Sequence, residues 1–209
     1  RYRMSNADAT SERLPLFPLQ TVFYPGTLLP LRIFETRYLD MVSASLRAGQ
    51  PFGIVPIRRG REVGAAAEFH AMGTLASITS FDRGDDGLLH LVVEGGERFS
   101  VTAHQVMPNR LTVADLVRLP PAADGSIPED LSYLRALLQE VYERNAGAVP
   151  YAAPRWDSAL WLAYRLGELL PLPLPNRLAV LEAPDGAAAL KLIDAALRAQ
   201  GANPPPSMH

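Results

Sequence analysis

Cysteine is absent from this chain of 209 residues. That absence removes disulfides, thiolate metal sites and cysteine nucleophiles together, and it fits a reducing, cytoplasmic setting. Lysine is nearly absent as well: Lys191 stands alone, on a segment that reads as a solvated helix face. No uninterrupted apolar run approaches the roughly 20 residues that span a bilayer, so no membrane partner is expected. No basic start followed by an apolar stretch reads as an export signal. The formal net charge of −2 gives no electrostatic case for nucleic acid.

Catalytic patterns are missing too. There is no G-x-x-x-x-G-K-[ST] loop to cradle nucleotide phosphates, no G-x-S-x-G elbow and no H-E-x-x-H zinc pair. His70, His90, His104 and His209 are scattered without ligand spacing. The aspartates of Asp82-Arg83-Gly84-Asp85-Asp86-Gly87 lack the calcium-loop spacing and read as a hairpin turn. The expectation is therefore no catalytic residue, no metal and no cofactor.

What is present begins with Leu14 to Leu46, LPLFPLQTVFYPGTLLPLRIFETRYLDMVSASL, around which the rest is organised. Pro15 and Pro18 interrupt its first apolar run, and a proline cannot donate to a ladder, so that run is expected at a sheet edge or as an extended segment. Tyr24-Pro25-Gly26-Thr27 meets the residue requirement of a type II turn. Leu28–Ile33 reads as a strand. From Phe34 the period becomes helical, with Phe34, Tyr38, Met41, Val42 and Leu46 on one face and Gly49 to end it. Arg32, Glu35 and Arg37 crowd this junction and read as a structural clasp, chiefly Arg32 with Glu35. Glu35 and Arg37 are two apart and would not meet on a helix.

Further strands follow at 51–58, 69–81, 88–94, 97–103 and 110–118, with Gly95-Gly96 and Pro108-Asn109 as turns. Pro120 to Gly125 reads as a linker. Beyond it the period stays helical: one helix through Leu131 to Tyr142, a second capped by Asp157, a short third at 176–182, and a fourth between Asp185 and Gly201. Pro171-Leu172-Pro173-Leu174-Pro175 reads as a rigid connection rather than a polyproline ligand. The fold class is α+β: a small, partly closed β-barrel with one inserted helix, then an α-helical bundle.

The opening stretch closely resembles the Lon protease N-terminal domain family. P-L-F-P-L (Pro15 to Leu19), the Pro25-Gly26 turn and L-x-I-F-E-x-R-Y (Leu31 to Tyr38) follow one another at that family's spacing. Pro51 to Val55, Gly73 to Ala76, Val93 to Gly95, Glu97 to Phe99 and Glu168 to Glu182 extend the likeness along the chain. Asn176-Arg177 departs modestly from the family's usual lysine-glutamine. The resemblance implies a PUA-like barrel over 14–119, a linker over 120–127 and a helical bundle over 128–201, with tails at 1–13 and 202–209.

It also implies a stand-alone, non-catalytic module that recognises unfolded or apolar protein segments, alone or as a homo-oligomer, and serves a separate ATPase or protease. A recognition groove is expected between barrel and bundle, lined by Phe23, Tyr24, Phe34, Tyr38 and Phe99, with Arg37 and Arg98 as polar contacts. Two alternatives stand beside it. An RNA-binding barrel would stack bases on aromatics and weaken steeply with salt. A small-molecule enzyme would gather titratable groups in the cleft.

Overall fold

The computed structural model describes residues 11–145 and 153–201. Two compact units divide the chain after Pro120. The sequence expectations for 1–10 and 202–209 lie outside the described residues.

Among its described residues, the first unit is a seven-stranded sheet with one helix: β1 Glu12–Leu19, β2 Leu28–Ile33, α1 Thr36–Ala48, β3 Phe52–Arg59, β4 Glu68–Phe69, β5 Met72–Arg83, β6 Leu89–Val106 and β7 Thr112–Arg118. The strands run β1-β7-β6-β5-β3, and β3 returns to β1 in parallel, so the sheet closes on itself. Strand β2 lies on β6, and β4 on β3.

The first apolar run is thus a central strand, not an edge. The register shows how its prolines are tolerated. Residues 12–16 of β1 pair with β7, and residues 16–19 pair with β3. Pro15 falls in the half that meets only β7, and Pro18 in the half that meets only β3. Each proline has one side without a partner, where a missing N–H costs nothing.

Gly95-Gly96 likewise departs from expectation, because β6 runs straight through it. The Tyr24 to Thr27 turn is laid against the strand there. Gly26 donates to the Gly95 carbonyl at 2.7 Å, and Gly95 donates to the Thr27 carbonyl at 2.9 Å. A Cβ at Gly95 would lie 2.1 Å from the Tyr24 carbonyl oxygen, so glycine is there for close approach.

Helix α1 turns Tyr38, Met41 and Val42 onto Phe17, Phe52 and Val93 in one apolar cluster. Phe17 meets Tyr38 edge-on at 4.4 Å. Gly49 ends the helix in the left-handed region at φ 62°, as the sequence pattern predicts. A second cluster centres on Phe99, with Leu14, Leu16, Val55, Leu75 and Leu116 around it.

Among its described residues, the second unit holds a short 3-10 turn at Glu129–Leu131 and four helices: α2 Tyr133–Arg144, α3 Ala159–Leu169, α4 Leu174–Glu182 and α5 Gly186–Ala199. Leu134, Leu138, Leu162, Leu166, Leu181, Leu190 and Ile193 are fully buried, one apolar stripe per helix. Leu174 and Pro175 open α4, which leaves no continuous polyproline segment. Trp156, Trp161 and Tyr142 stack edge-to-face, with ring centroids 5.3 to 6.2 Å apart. Burial pushes the Tyr142 hydroxyl up to about 12.

Two sequence expectations are corrected here. Ser158, not Asp157, caps α3: its Oγ accepts from the Trp161 N–H at 3.0 Å. Asp157 instead faces solvent and pairs with Arg135. Residues 120–125 are not a free linker either. Ala122 is buried, Ala123 bridges to Asp185, and the Asp124 carboxylate accepts from Ser158 Oγ and from the backbone N–H groups of Gly125 and Leu160. The segment is built into the start of α3.

Candidate functional site

Within the barrel unit, the strand-to-helix corner at Phe34 collects more unusual features than any other described place. The chain leaves β2 at Ile33 and enters α1 at Thr36, with Glu35 as an extended N-cap at φ −77° and ψ 132°. Glu35 is therefore outside the helix, and the helical rule that would part it from Arg37 does not apply. Arg37 Nη2 lies 3.0 Å from Glu35 Oε2, and the clasp is Glu35 with Arg37. Arg32 is not part of it. It is exposed on β2, opposite His90 of β6.

Arg37 is 5% exposed. Its Nη1 donates to the Arg110 carbonyl at 2.8 Å, and its guanidinium carbon stands 4.6 Å over the Tyr38 ring. The contact with Glu35 is one of charge rather than direction. Among the described residues, Nε and Nη2 have no hydrogen-bond partner. Burial raises the Tyr38 hydroxyl, and the Arg37 charge opposes that rise.

Arg110 is the one non-glycine among the described residues with positive φ, at 68°. A side chain in that conformation costs on the order of 1 kcal/mol, and observed strain of this kind is a pointer to function. Its turn is fastened on every side. Arg110 N–H donates to the Met107 carbonyl, Leu111 N–H to Asn109 Oδ1, and Arg37 holds the Arg110 carbonyl.

Between this turn and the start of α1 lies an open depression of about 430 Å³, lined by Phe34, Glu35, Thr36, Asp40, Gly64 and Arg110 among others. Phe34 is 55% exposed at its rim. It precedes the N-cap, so it never joins the apolar helix face that the sequence pattern assigned to it. The Glu35 side chain makes no cap bond; its carbonyl accepts from the Tyr38 and Leu39 N–H groups, so the helix-end donors outside the α1 ladder are those of Thr36 and Arg37. The corner thus offers one apolar ring, helix-end donors, and a balance of Glu35 and Asp40 against Arg37 and Arg110.

The other residues expected to line a groove are elsewhere. Phe23 and Tyr38 belong to the cluster under α1, Phe99 centres the second cluster, and Tyr24 is completely buried in the turn against β6. A ring enclosed on all sides has no face to offer a ligand, so these four are core. Arg98 is also buried, and its Nη2 donates to the Pro120 carbonyl at 3.1 Å where the chain leaves the barrel. Of the residues expected to line a groove, Phe34 and Arg37 line the same depression. Arg110 and Gly64, which also line it, carried no motif, because each reaches the depression from distant sequence.

Replacing Arg37 with methionine removes the Arg110 tether and leaves Glu35 without its charge partner. The expected cost is about 2 kcal/mol. A lysine cannot reproduce a fork that serves Arg110 and Glu35 together, so Arg37→Lys is expected to recover less than half of that loss in denaturant melts.

Among the described residues, no group of three or more His, Asp or Glu could hold a metal ion, and no helix is long and apolar enough to cross a membrane. Among the described residues, the architecture is a closed barrel with one helix, continued by a unit of short helices. The family model for the substrate-binding domain of ATP-dependent protease La (LON) matches residues 13–198, and the chain belongs to that family.

The chain is 30% identical to Lon protease 2 of Myxococcus xanthus over 196 residues, which cover 90% of this chain and 24% of that protein. It is 28% identical to the Lon protease of Anaeromyxobacter dehalogenans, over 86% of this chain and 22% of that one. It therefore spans about a quarter of the length of these curated relatives. Among solved structures, it is similar to a Lon N-terminal domain protein from Xanthomonas campestris, with 34% identity and a TM-score of 0.73, covering 88% of this chain and 98% of that one. The N-terminal domain of the Mycobacterium avium complex Lon protease matches at a TM-score of 0.62 and 22% identity, a likeness of fold alone.

Proposed function

We propose that this chain is a non-catalytic recognition module for unfolded or apolar protein segments, with the Phe34 corner as a point of contact. The observation that supports this reading most is the 55% exposure of Phe34 beside a buried arginine and a strained turn, in a chain of the substrate-binding family. A large apolar ring held in water by a fastened corner is an anchor awaiting a partner. The neighbouring helix-end donors would receive a peptide carbonyl or carboxylate. The ATPase and protease work of the relatives would belong to chain segments beyond the quarter that this sequence matches.

Fluorescence anisotropy against labelled, unstructured apolar peptides tests this, with an RNA oligomer alongside. Micromolar peptide binding is expected. Phe34→Ala should weaken it about tenfold, the cost of burying half a phenylalanine, while leaving the melting temperature unchanged. Binding that ignores Phe34→Ala would remove the corner from the reading. RNA binding that falls steeply with salt, without peptide binding, would overturn the reading itself.

A further inference from the structure

The second half of β5, Ser80–Arg83, is a strand with an unused edge. It pairs with β6 on one side, and β6 pairs with β2 on the other, which gives a three-stranded patch. Strand β3 meets β5 only at 74–76, and among the described residues nothing pairs with the outer side of 80–83.

The register says which groups are spare. Gly84 donates to the Leu88 carbonyl at the hairpin, so by the antiparallel alternation Asp82 and Ser80 turn their backbone groups to β6. Phe81 and Arg83 therefore turn theirs outward. The opposite edge of the patch is different. Leu29, Leu31 and Ile33 face β6, so Pro30 sits at an outward position and has no N–H to offer. Proline blunts the β2 edge in the way natural sheets protect themselves, while the β5 edge holds no proline and its register shifts lie before Ser80, leaving 80–83 regular.

Side chains specify the partner further. Phe81 lies directly across from Leu91, and Leu91 across from Leu31, in one row on one face. Leu91 is buried, yet Phe81, at the end of the row, is 60% exposed. A strand laid beside β5 would continue the row and cover that ring. On the other face, Asp82 follows His90 and Arg32, and His90 is already bonded to Asp86. The stretch Asp82 to Asp86 holds three aspartates and one arginine. A neighbour of Asp82 on a new strand would meet negative charge.

We infer that the outer edge of β5 at Ser80–Arg83 accepts an extended peptide as an added strand, with an apolar residue beside Phe81 and a basic residue beside Asp82. Main-chain ladder bonds would supply affinity, and the alternating side chains the preference. This surface is separate from the Phe34 corner, and it rests on the peptide-recognition reading above.

The test is a titration of the whole chain with a short labelled peptide alternating valine and lysine, and with two N-methylated versions of it. One version is methylated on every other residue, the second on the residues between. An added strand uses alternate N–H groups only, so one version should lose binding entirely while the other keeps it. Phe81→Pro should weaken the parent peptide at least about tenfold, and Phe81→Ala about threefold. Asp82→Lys should reverse the preference toward a peptide alternating valine and glutamate. Should the proline variant fail to fold, the alanine and charge-reversal variants still decide.

Equal binding of both methylated peptides, or indifference to Phe81 and Asp82, would overturn strand addition. If binding then still responds to Phe34→Ala, the recognition reading survives without it. No binding of any peptide overturns both. Dimerisation in sedimentation without peptide, abolished by Phe81→Pro, would assign the edge to a second copy of the chain and overturn the peptide assignment.

Discussion

Gly95→Ala is expected to abolish the native barrel. A methyl group there would lie 2.1 Å from the Tyr24 carbonyl oxygen and 3.3 Å from the Gly26 nitrogen, both backbone atoms that cannot rotate aside. To make room, the Tyr24 to Thr27 turn must lift from β6. It then gives up the reciprocal bonds of Gly26 and Thr27 to Gly95 and exposes the fully buried Tyr24. Two backbone bonds and one large ring come to roughly 4 kcal/mol or more, a large part of a small domain's stability. Gly96→Ala is the control, since its Cβ would meet nothing closer than 3.6 Å. Amide exchange on β2 and β6 reads the difference: lost protection in the first variant, and near-native protection in the second. Native exchange in Gly95→Ala would show that the turn is not held as described.

Asp124→Ala carries the second large effect, and it falls on the helical unit. The Asp124 carboxylate gathers Ser158 Oγ at 2.7 Å, the Leu160 N–H at 3.1 Å and Arg155 at 2.8 Å. Ser158 is in turn the cap of α3, so removing Asp124 loosens a cap as well as the charge-assisted bonds from Gly125, Leu160 and Arg155. The expected loss is about 3 kcal/mol. Both tryptophans of the chain, Trp156 and Trp161, lie in this unit, so their fluorescence during denaturation reports it specifically.

The same site predicts an acid limb. Burial works to raise the Asp124 carboxyl, but Ser158, the Gly125 and Leu160 N–H groups and Arg155 outweigh it and hold the group below the usual carboxylate range. A depressed folded pKa contributes stability that is present above the unfolded value near 3.9 and is lost as pH falls through the folded one. Asp124→Asn is expected to lose stability at neutral pH and to flatten that part of the decline below about pH 4. If the parent and the asparagine variant lose stability in parallel through that window, Asp124 is not the titrating group.

Much of the fold was legible because its signals are local. The Pro25-Gly26 turn, the Gly49 helix end and the Asp185 cap each need only a few adjacent residues, and Gly26 at φ 77° and the bond that the Ala188 N–H donates to the Asp185 carboxylate stand where the pattern places them. The misreadings share a cause, which is that the deciding partner is far away in sequence. Gly95-Gly96 has the composition of a turn until the Tyr24 loop arrives beside it. Pro15 and Pro18 argue for an edge until two strands share β1 between them. Asp124 sits in linker composition, and only Ser158 and Leu160 reveal it as part of a helix start.

The candidate site was half legible for the same reason. Phe34 and Arg37 belong to a recognisable motif, but periodicity alone could not separate an exposed ring from the buried Tyr38 four residues on. Arg110 could be found only by its backbone.

The pairing that closes the barrel also sets an order of events. Arg13 and Asp115, joined across β1 and β7, are 102 residues apart in the chain. On a ribosome, the apolar face of β1 is made first and must wait for nearly the whole unit before its antiparallel partner emerges. Loop closure over that span makes the step slow compared with the β5–β6 hairpin, which needs only its own turn. Until then the half of β1 around Leu14, which pairs with β7 alone, remains available to other chains. The newborn protein is for that interval itself an unfolded apolar segment, the kind of ligand its finished form is proposed to bind.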